Sequence, residues 1–377
     1  MTYIKPTIIH VISGLNSGGA ENVLLRLVEH EDAFRHIVVS LSDKGALGDR
    51  FEELGIELVC LNFRRGRLNC AGLSALWRLL YSQKSISLQS WMYHADFLAG
   101  IIGFILGHKV IWNIRHSNFE YRKENSLTIL IMFMNAALSH LIPTKIICCA
   151  ELVKQTHSKF GYNRRKMLVI ENGIDLSEYF PDETIKNRFR SRHDIPSTTF
   201  LIGFVARYND QKDHKTFLTG FKKFIKVNPE AKCVMAGHGI NWSNKKLTSL
   251  LSQFKLTKNV ILLGLVNTSA EIMKSIDVNV LTSSHGEGYP NVLIEGLACG
   301  APAVATDVGD SAAIIDSCGW IISPKNPPQL LSALLVAYST YQNKDRWNKM
   351  RSEAVQLVAK RNNLTCTIQK YHDIWVG

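Results

Sequence analysis

Short β-rich runs alternate with helical stretches along this chain, and no other feature restricts its fold as tightly. Ile8–Ile12, His36–Leu41, Ile56–Leu61, Ile86–Ser90, Val110–Ile114 and Lys145–Cys149 have the branched, apolar character of buried strands. Between them, Asn22–Glu29, Leu73–Gln83 and Ala95–Leu106 carry helical patterns, and a short apolar run stands at Phe51–Leu54. The rhythm restarts with strands at Phe200–Ala206, Ala231–Ala236, Val260–Leu263 and Ile276–Leu281, and a helix at Thr216–Val227. Further helices are expected at Gln329–Tyr338, Ser352–Val358 and Leu364–Trp375. Such alternation predicts parallel sheets covered by helices on both faces, with functional loops beyond the C-terminal ends of the strands. At 377 residues the chain is long for one core, so two domains are expected. The boundary is expected near 175–198, where Pro, Asp, Ser and Thr accumulate.

The formal charge of +12 calls for an anionic partner: nucleic acid, a phosphorylated substrate or an acidic membrane surface. The basic residues form short groups, Arg64-Arg65-Gly66-Arg67, Arg164-Arg165-Lys166 and Lys222-Lys223, in place of one stripe interleaved with aromatics. That pattern speaks against a nucleic-acid binder, and solvated faces account for most of the groups. The eight cysteines include no C-x-x-C pair and mostly lie in apolar stretches, so neither zinc nor disulfides are expected. They read as small buried hydrophobes in a reducing compartment. The opening M-T-Y-I-K-P-T-I-I-H-V-I has no signal-peptide layout and reads as a first strand. No run of 18 apolar residues occurs, so no spanning segment is expected. The apolar stretch Leu127–Pro143 reads as a helix packed on the sheet, with a membrane-contacting face as the alternative.

The segment His285–Asp310, H-G-E-G-Y-P-N-V-L-I-E-G-L-A-C-G-A-P-A-V-A-T-D-V-G-D, concentrates the chemistry. Pro290 fits a first helical position, where its missing N–H costs nothing, and Gly300 fits a left-handed C-terminal cap. A strand is expected at Ala303–Thr306. Glu287 and Glu295 bracket the helix start eight positions apart, at most about 12 Å at 1.5 Å per residue. Free N–H groups between them attract phosphate. An anion flanked by two hydroxyl-binding carboxylates describes a nucleotide-sugar site.

Glu287-x7-Glu295, in the frame E-G-Y-P-N-V-L-I-E-G-L-A-C-G-A-P-A-V-A-T, resembles the signature of family-4 retaining glycosyltransferases with the GT-B fold. The resemblance implies two Rossmann-like, doubly wound parallel-sheet α/β domains facing a deep cleft. Residues 1–178 would bind the acceptor and residues 179–361 the nucleotide-sugar donor, with a C-terminal helix over 362–377 packing back onto the first domain. Val169–Tyr179 and Phe180-Pro181-Asp182 resemble the family's link between the two.

By the same resemblance, Glu295 binds the ribose hydroxyls and Glu287 contacts the donor sugar, in a substrate-binding loop with Gly288, Tyr289, Pro290 and Asn291. Arg207 to Lys212 matches the family's G-R-L-x-x-x-K-G loop, with Ala206 for the first Gly, Tyr208 for the aliphatic residue and Asp213 for the last Gly. Arg207 and Lys212 remain as two cations for the charge that grows on a leaving diphosphate. Gly237, in the turn Gly237-His238-Gly239, is expected near the nucleotide.

In the first domain, S-G-L-N-S-G-G-A-E after the first strand gives strand, glycine loop and helix, which brings backbone N–H groups against phosphate or sugar. Its spacing, Gly14-x3-Gly18-Gly19, is not G-x-G-x-x-G, which speaks against a nicotinamide dinucleotide. The resemblance sets Gly18 and Gly19 in the cleft near the donor; a plain tight turn is the alternative. His116, in N-I-R-H-S-N after a strand, stands where the family has a His on the reacting sugar. His94 and Asp96, in W-M-Y-H-A-D, are further candidates, with His94 as a substrate contact.

The expected activity is that of a metal-independent retaining hexosyltransferase. It would move a hexose or N-acetylhexosamine from a nucleotide-diphosphate sugar, UDP-linked by preference, to a hydroxyl of a glycan acceptor. A lipid-linked polysaccharide or O-antigen intermediate is the acceptor that basic charge and apolar 127–143 suggest. No D-x-D triplet occurs, so Arg207, Lys212 and a helix N-terminus are expected to neutralise the diphosphate with no metal and no cofactor. The protein is expected to be cytoplasmic and peripheral on the inner face of the membrane, against anionic lipid. The alternatives are an epimerase of the same fold, which needs carboxylate and His pairs flanking the sugar, and a basic nucleic-acid binder.

Overall fold

The computed structural model describes residues 5–16, 18–63, 70–83, 87–116 and 126–377. The chain divides into two compact units: residues up to Gly173 with Thr365–Gly377, and Ile174–Leu364. Met1–Ile4, Ile86, Ser117, Asn118 and the basic group Arg64–Arg67 lie outside the described residues.

Unit 1 opens with β1 (Thr7–Ile12), α1 (Gly19–His30), β2 (Arg35–Ser40), α2 (Gly48–Glu53) and β3 (Glu57–Cys60). It continues with α3 (Cys70–Ser82), β4 (Ser87–Trp91), α4 (Tyr93–Ile105), β5 (Lys109–Ile114) and α5 (Ser126–Leu138). β6 (Lys145–Cys148), α6 (Glu151–Lys159) and β7 (Met167–Val169) complete the run, with a single 3-10 turn at Arg164–Lys166. The seven strands are parallel in the order β3-β2-β1-β4-β5-β6-β7. Strand order reverses between β1 and β4, so the loop after β1, which carries Gly18, opens at a switch point. The strands are near-continuous apolar runs because helices cover both faces. Phe51–Leu54 lies at the end of α2, where Phe51 is buried.

Unit 2 runs through α7 (Glu183–Arg192), β8 (Leu201–Val205), α8 (His214–Val227), β9 (Lys232–Ala236) and α9 (Lys245–Phe254). Then come β10 (Val260–Leu262), α10 (Ala270–Ser275), β11 (Val278–Leu281), α11 (Asn291–Ala298) and β12 (Ala303–Thr306). α12 (Ser311–Ile315), β13 (Gly319–Ile322), α13 (Pro327–Gln342) and α14 (Lys344–Arg361) follow. The six strands are parallel in the order β10-β9-β8-β11-β12-β13, with the reversal between β8 and β11. α8 buries Phe217, Leu218, Phe221 and Phe224 at helical spacing, and Phe217 stacks on Phe204 of β8 at 4.5 Å.

Four boundaries differ from the sequence reading for physical reasons. The stretch 175–198, where the boundary is expected, contains α7, a polar helix with no apolar periodicity to betray it. Asp182 caps it, accepting from the Ile185 N–H at 2.9 Å, and its buried Arg190 pairs with Asp277 at 2.7 Å. The helix expected at Ser352–Val358 is the middle of the 18-residue α14. The apolar stretch to Pro143 stops being helix at Leu138. Pro290 is the cap of α11, in extended backbone one residue before the helix, while Gly300 takes the left-handed φ of +74° that a C-terminal stop requires.

Chain ends of unit 1 meet through α15 (Leu364–Val376). Tyr371 and Trp375 are buried; Trp375 Nε1 donates to Gln89 Oε1 at 2.6 Å, and Asn113 Nδ2 donates to the Tyr371 hydroxyl at 3.0 Å. Beneath Trp375 lies a chain of buried polar rings. Trp91 Nε1 can only donate, and does so to His10 Nδ1 at 3.3 Å; His10 Nε2 meets His36 Nδ1 at 3.0 Å. His36 Nε2 then donates to Glu31 at 2.9 Å, so each ring donates through Nε2 and accepts through Nδ1. Burial first, and His36 second, hold the His10 pKa well below its ordinary value.

Candidate functional site

Two loops leave the C-terminal ends of β8 and β11, the strands that flank the switch point of unit 2. Backbone and hydroxyl bonds staple them together. Ser284 N–H donates to the Gln211 carbonyl at 2.7 Å, and Thr282 Oγ1 donates to the carbonyls of Lys212 and Asp213 at 3.1 Å each. The staple delivers the Lys212 ammonium to Glu287, where it donates to Oε1; Ser283 Oγ donates to the same oxygen at 2.6 Å.

Glu287 is buried, which by itself would raise its pKa. The Lys212 charge and hydrogen bond, the Ser283 hydroxyl and the field of Arg207 outweigh that burial, and the carboxyl lies below its usual range. Arg207 itself is exposed. The arrangement holds the Glu287 carboxylate against the Lys212 ammonium, within the field of Arg207.

The substitution of Asp213 for the family's glycine is accommodated in the backbone. Asp213 adopts φ +46°, ψ +57°, a left-handed conformation that Asp tolerates better than most residues. Its carboxylate does not turn to Lys212. It caps α8, accepting from the Thr216 N–H at 3.1 Å and from Thr216 Oγ1 at 2.6 Å.

The loop between the carboxylates has its own anchors. The Gly288 carbonyl accepts from the Asp310 N–H at 3.0 Å, and the Tyr289 hydroxyl accepts from Asn362 Nδ2 at 2.6 Å. Gly309 passes so close, at φ +64°, that a Cβ there would sit 2.6 Å from the Glu287 carbonyl. Pro290 is buried and Asn291 opens α11 half-buried. Glu295 is buried on α11, and its Oε2 accepts from Ser269 Oγ at 2.6 Å. Gly237 stands beside the Arg207 loop at φ +138°; a Cβ there would lie 2.3 Å from the Ala206 carbonyl.

Unit 1 carries the remaining candidates. Gly18 caps α1, its carbonyl accepting from Asn22 Nδ2 at 2.7 Å, and open space surrounds the α-carbon of Gly19, the first helical residue. His94 lies half-buried on the first turn of α4, and burial lowers its pKa. His116 is half-buried two residues beyond β5. It is near enough to His157 that its charge, after burial, contributes to holding the His157 pKa at about 4. Asp96 lies wholly in the interior, accepting from Ser90 Oγ at 2.6 Å, with a pKa raised by burial, so it serves the core and not a loop.

Unit 2 thus brings Arg207, Lys212, Glu287 and Gly237 around one strand switch, with Gly288, Tyr289, Pro290, Asn291 and Glu295 following on one loop and helix. Sequence reasoning missed Ser283, Ser269 and Asn362. Each is an ordinary polar residue whose partner stands out only in three dimensions. All eight cysteines are free; five are buried, but Cys70 and Cys366 are exposed, against expectation. Among the described residues, no group of three or more His, Cys, Asp or Glu could hold a metal ion, and no helix is long and apolar enough to cross a membrane.

Comparison with known proteins gives concordant matches. A family model described as Glycosyltransferase Family 4 matches residues 17–178, and one described as Glycosyl transferases group 1 matches residues 199–340. The chain is 24% identical over 321 residues to the putative glycosyltransferase EpsF of Bacillus subtilis, covering 81% of this chain and 80% of that protein. It is 24% identical over 269 residues to an Escherichia coli UDP-Gal:alpha-D-GlcNAc-diphosphoundecaprenol alpha-1,3-galactosyltransferase, covering 70% of this chain and 69% of that protein. Among solved structures, Anabaena Alr3699/HepE in complex with UDP superposes with a TM-score of 0.85 at 16% identity, over 97% of this chain and 98% of that one.

Proposed function

From the premise that this chain belongs to the family-4 glycosyltransferases of bacterial polysaccharide type, with the GT-B fold, we propose a retaining, metal-independent hexosyl transfer from a UDP-sugar to a lipid-linked glycan. The observation that carries the reading is the contact of Lys212 with Glu287 at the switch point of unit 2, beside Arg207. A donor's diphosphate would take over the Lys212 ammonium and the exposed guanidinium of Arg207, leaving Glu287 to accept from sugar hydroxyls. Glu295 would accept from the ribose hydroxyls.

In the step proposed, the bond between the anomeric carbon and the β-phosphate oxygen breaks, and its electron pair stays on that oxygen. The acceptor hydroxyl forms the new bond on the same face and gives its proton to the departing phosphate. Arg207 and Lys212 would stabilise the growing negative charge, the role in which fixed cations are most effective. His116 would contact the reacting sugar, and His94, Gly18 and Gly19 would lie along the substrate path. The E. coli relative's name specifies a UDP-galactose donor and a diphosphoundecaprenol acceptor, which supports both choices, and the HepE structure holds UDP, which supports the donor. The relatives named above are transferases, which disfavours the epimerase alternative. The net charge of +12 and the apolar 127–143 stretch support a peripheral site of action on an anionic cytoplasmic membrane face.

The test is release of nucleotide from a panel of UDP-, GDP- and ADP-sugars, with and without a lipid-linked acceptor, in the presence and absence of chelator. Acceptor-dependent release of UDP, with retained anomeric configuration and no loss on chelation, is expected. Release confined to GDP- or ADP-sugars would replace the donor, and a loss restored by magnesium or manganese would overturn the metal-free diphosphate site.

A further inference from the structure

α5 is apolar on both of its faces. Ile131, Met132, Asn135 and Ala136 turn inward. Outward, Leu127, Leu130, Phe133 and Met134 are between 41% and 56% exposed, and Leu141, just beyond the helix, is 63% exposed. No Asp, Glu, Lys or Arg occurs between Ser126 and Thr144. A helix on a solvated surface carries a polar outer face; one that is apolar all round is covered by something else.

The patch has a charged rim. Asn135 Nδ2 donates to the Tyr93 carbonyl at 2.9 Å, tying the end of α5 to the start of α4. At the exit of α5, Lys166 Nζ donates to the His140 carbonyl at 2.8 Å. Lys166 ends the turn Arg164-Arg165-Lys166, three consecutive cations, and among the described residues none of them joins an ion pair.

We infer that the outward face of α5 is a membrane-docking surface, in which Leu127, Leu130, Phe133, Met134 and Leu141 enter the acyl boundary while Arg164, Arg165 and Lys166 meet anionic headgroups. Charge complementarity selects this occupant: an apolar helix face bordered by unpaired cations matches a bilayer of acidic lipid, and the two signals together give the affinity that either alone lacks. The inference deepens the membrane half of the proposed function and is independent of the transfer chemistry.

Sedimentation of the full chain with vesicles tests it, using phosphatidylcholine alone and phosphatidylcholine with phosphatidylglycerol, at low and high salt. The wild-type protein is expected to sediment with the anionic vesicles and to be partly released by salt. Leu130→Ser/Phe133→Ser should lower the partition about tenfold or more at either salt, and Arg164→Glu/Arg165→Glu should remove the preference for anionic lipid. Leu141→Ser, outside the helix, tests the same face without touching helix stability, and Val227→Ser, an exposed apolar residue of unit 2, should change nothing. Unaltered binding by the folded Leu130→Ser/Phe133→Ser and Leu141→Ser variants would overturn the face while leaving membrane association in place. A wild-type protein that sediments with neither vesicle would overturn both. A dimer in solution that the same substitutions dissolve would assign the face to a second copy of the chain.

Discussion

The side-chain amide of Asn362 donates to the hydroxyl of Tyr289 at 2.6 Å, and the Asn362 carbonyl accepts from the Ile174 N–H at 2.7 Å. Residues 174 and 364 border the two points at which the chain passes between its units. One asparagine therefore ties the loop between the two carboxylates to the segment at Ile174. Tyr289→Phe and Asn362→Ala should each destabilise the protein by about 1–2 kcal/mol, as loss of a buried hydrogen bond does. A double-mutant cycle in urea should give a coupling of about 1 kcal/mol, with the double variant little worse than either single one. Strictly additive losses would mean that the contact contributes nothing.

Removal of a diphosphate cation should fall on the chemical step. Lys212→Ala or Arg207→Ala is expected to lower kcat by about a hundredfold or more, since each removes a partner of charge that grows in the transition state. Lys212 also compensates the buried Glu287 carboxylate, so Lys212→Ala should in addition raise the Glu287 pKa. Lys212→Arg should recover only part of the loss, because a planar fork does not reproduce a compact ammonium. Turnover near the wild-type rate in both alanine variants would remove these residues from the mechanism.

The two carboxylates should separate kinetically. Glu295→Gln is expected mainly to raise the donor KM, because ribose contacts are alike in ground and transition states, whereas Glu287→Gln should lose kcat as well. Ser269→Ala, which removes the hydroxyl that orients Glu295 Oε2, should reproduce part of the Glu295 effect. Identical KM-only changes for both carboxylates would deny Glu287 a place near the reacting carbon.

Acid should destabilise both units through buried imidazoles. His157 in unit 1 and His214 in unit 2 have pKa values lowered by burial to about 4, against an ordinary 6.5. The His157 ring is fixed by donation from Nδ1 to the Val153 carbonyl and acceptance at Nε2 from Tyr93. The unfolded chain takes up protons first, so this stability is fully present above pH 6.5 and is lost as pH falls from there toward 4. The loss approaches about 3 kcal/mol for each ring. Urea midpoints measured between pH 7.5 and 4 should fall accordingly, and His157→Gln should flatten the curve. An unchanged slope in that variant would show that His157 does not enter the balance. Glu287, depressed in turn, adds to the decline only below its ordinary value of 4.5.

The sequence made the sheets legible because strands buried on both faces are mostly apolar, as β1 and β12 are, and their ends are punctuated by glycine. It made the ions of the site legible through the spacing of Glu287 and Glu295 and the survival of Arg207 and Lys212. What it could not convey is who meets whom. Lys212 and Glu287 are 75 positions apart and join only because β8 and β11 are neighbours in the sheet. α7 escaped notice because Arg190 and Lys186 on Asp277, with Phe189 alone as a buried apolar residue, hold it down in place of an apolar stripe. Asp96 stood out beside His94 in a polar group after β4, but α4 turns its carboxyl into the interior.

The return of α15 into unit 1 sets an order of events on the ribosome. Tyr371 and Trp375 fill the interior against His10, Trp91 and Gln89, so the first 173 residues leave the exit tunnel with that interior still open. Unit 2 is one continuous stretch, Ile174–Leu364, and all of it emerges before the missing helix does. The half of the protein made first is therefore the half that closes last. During that interval Trp91 and the polar rings beside it lack the cover of Tyr371 and Trp375.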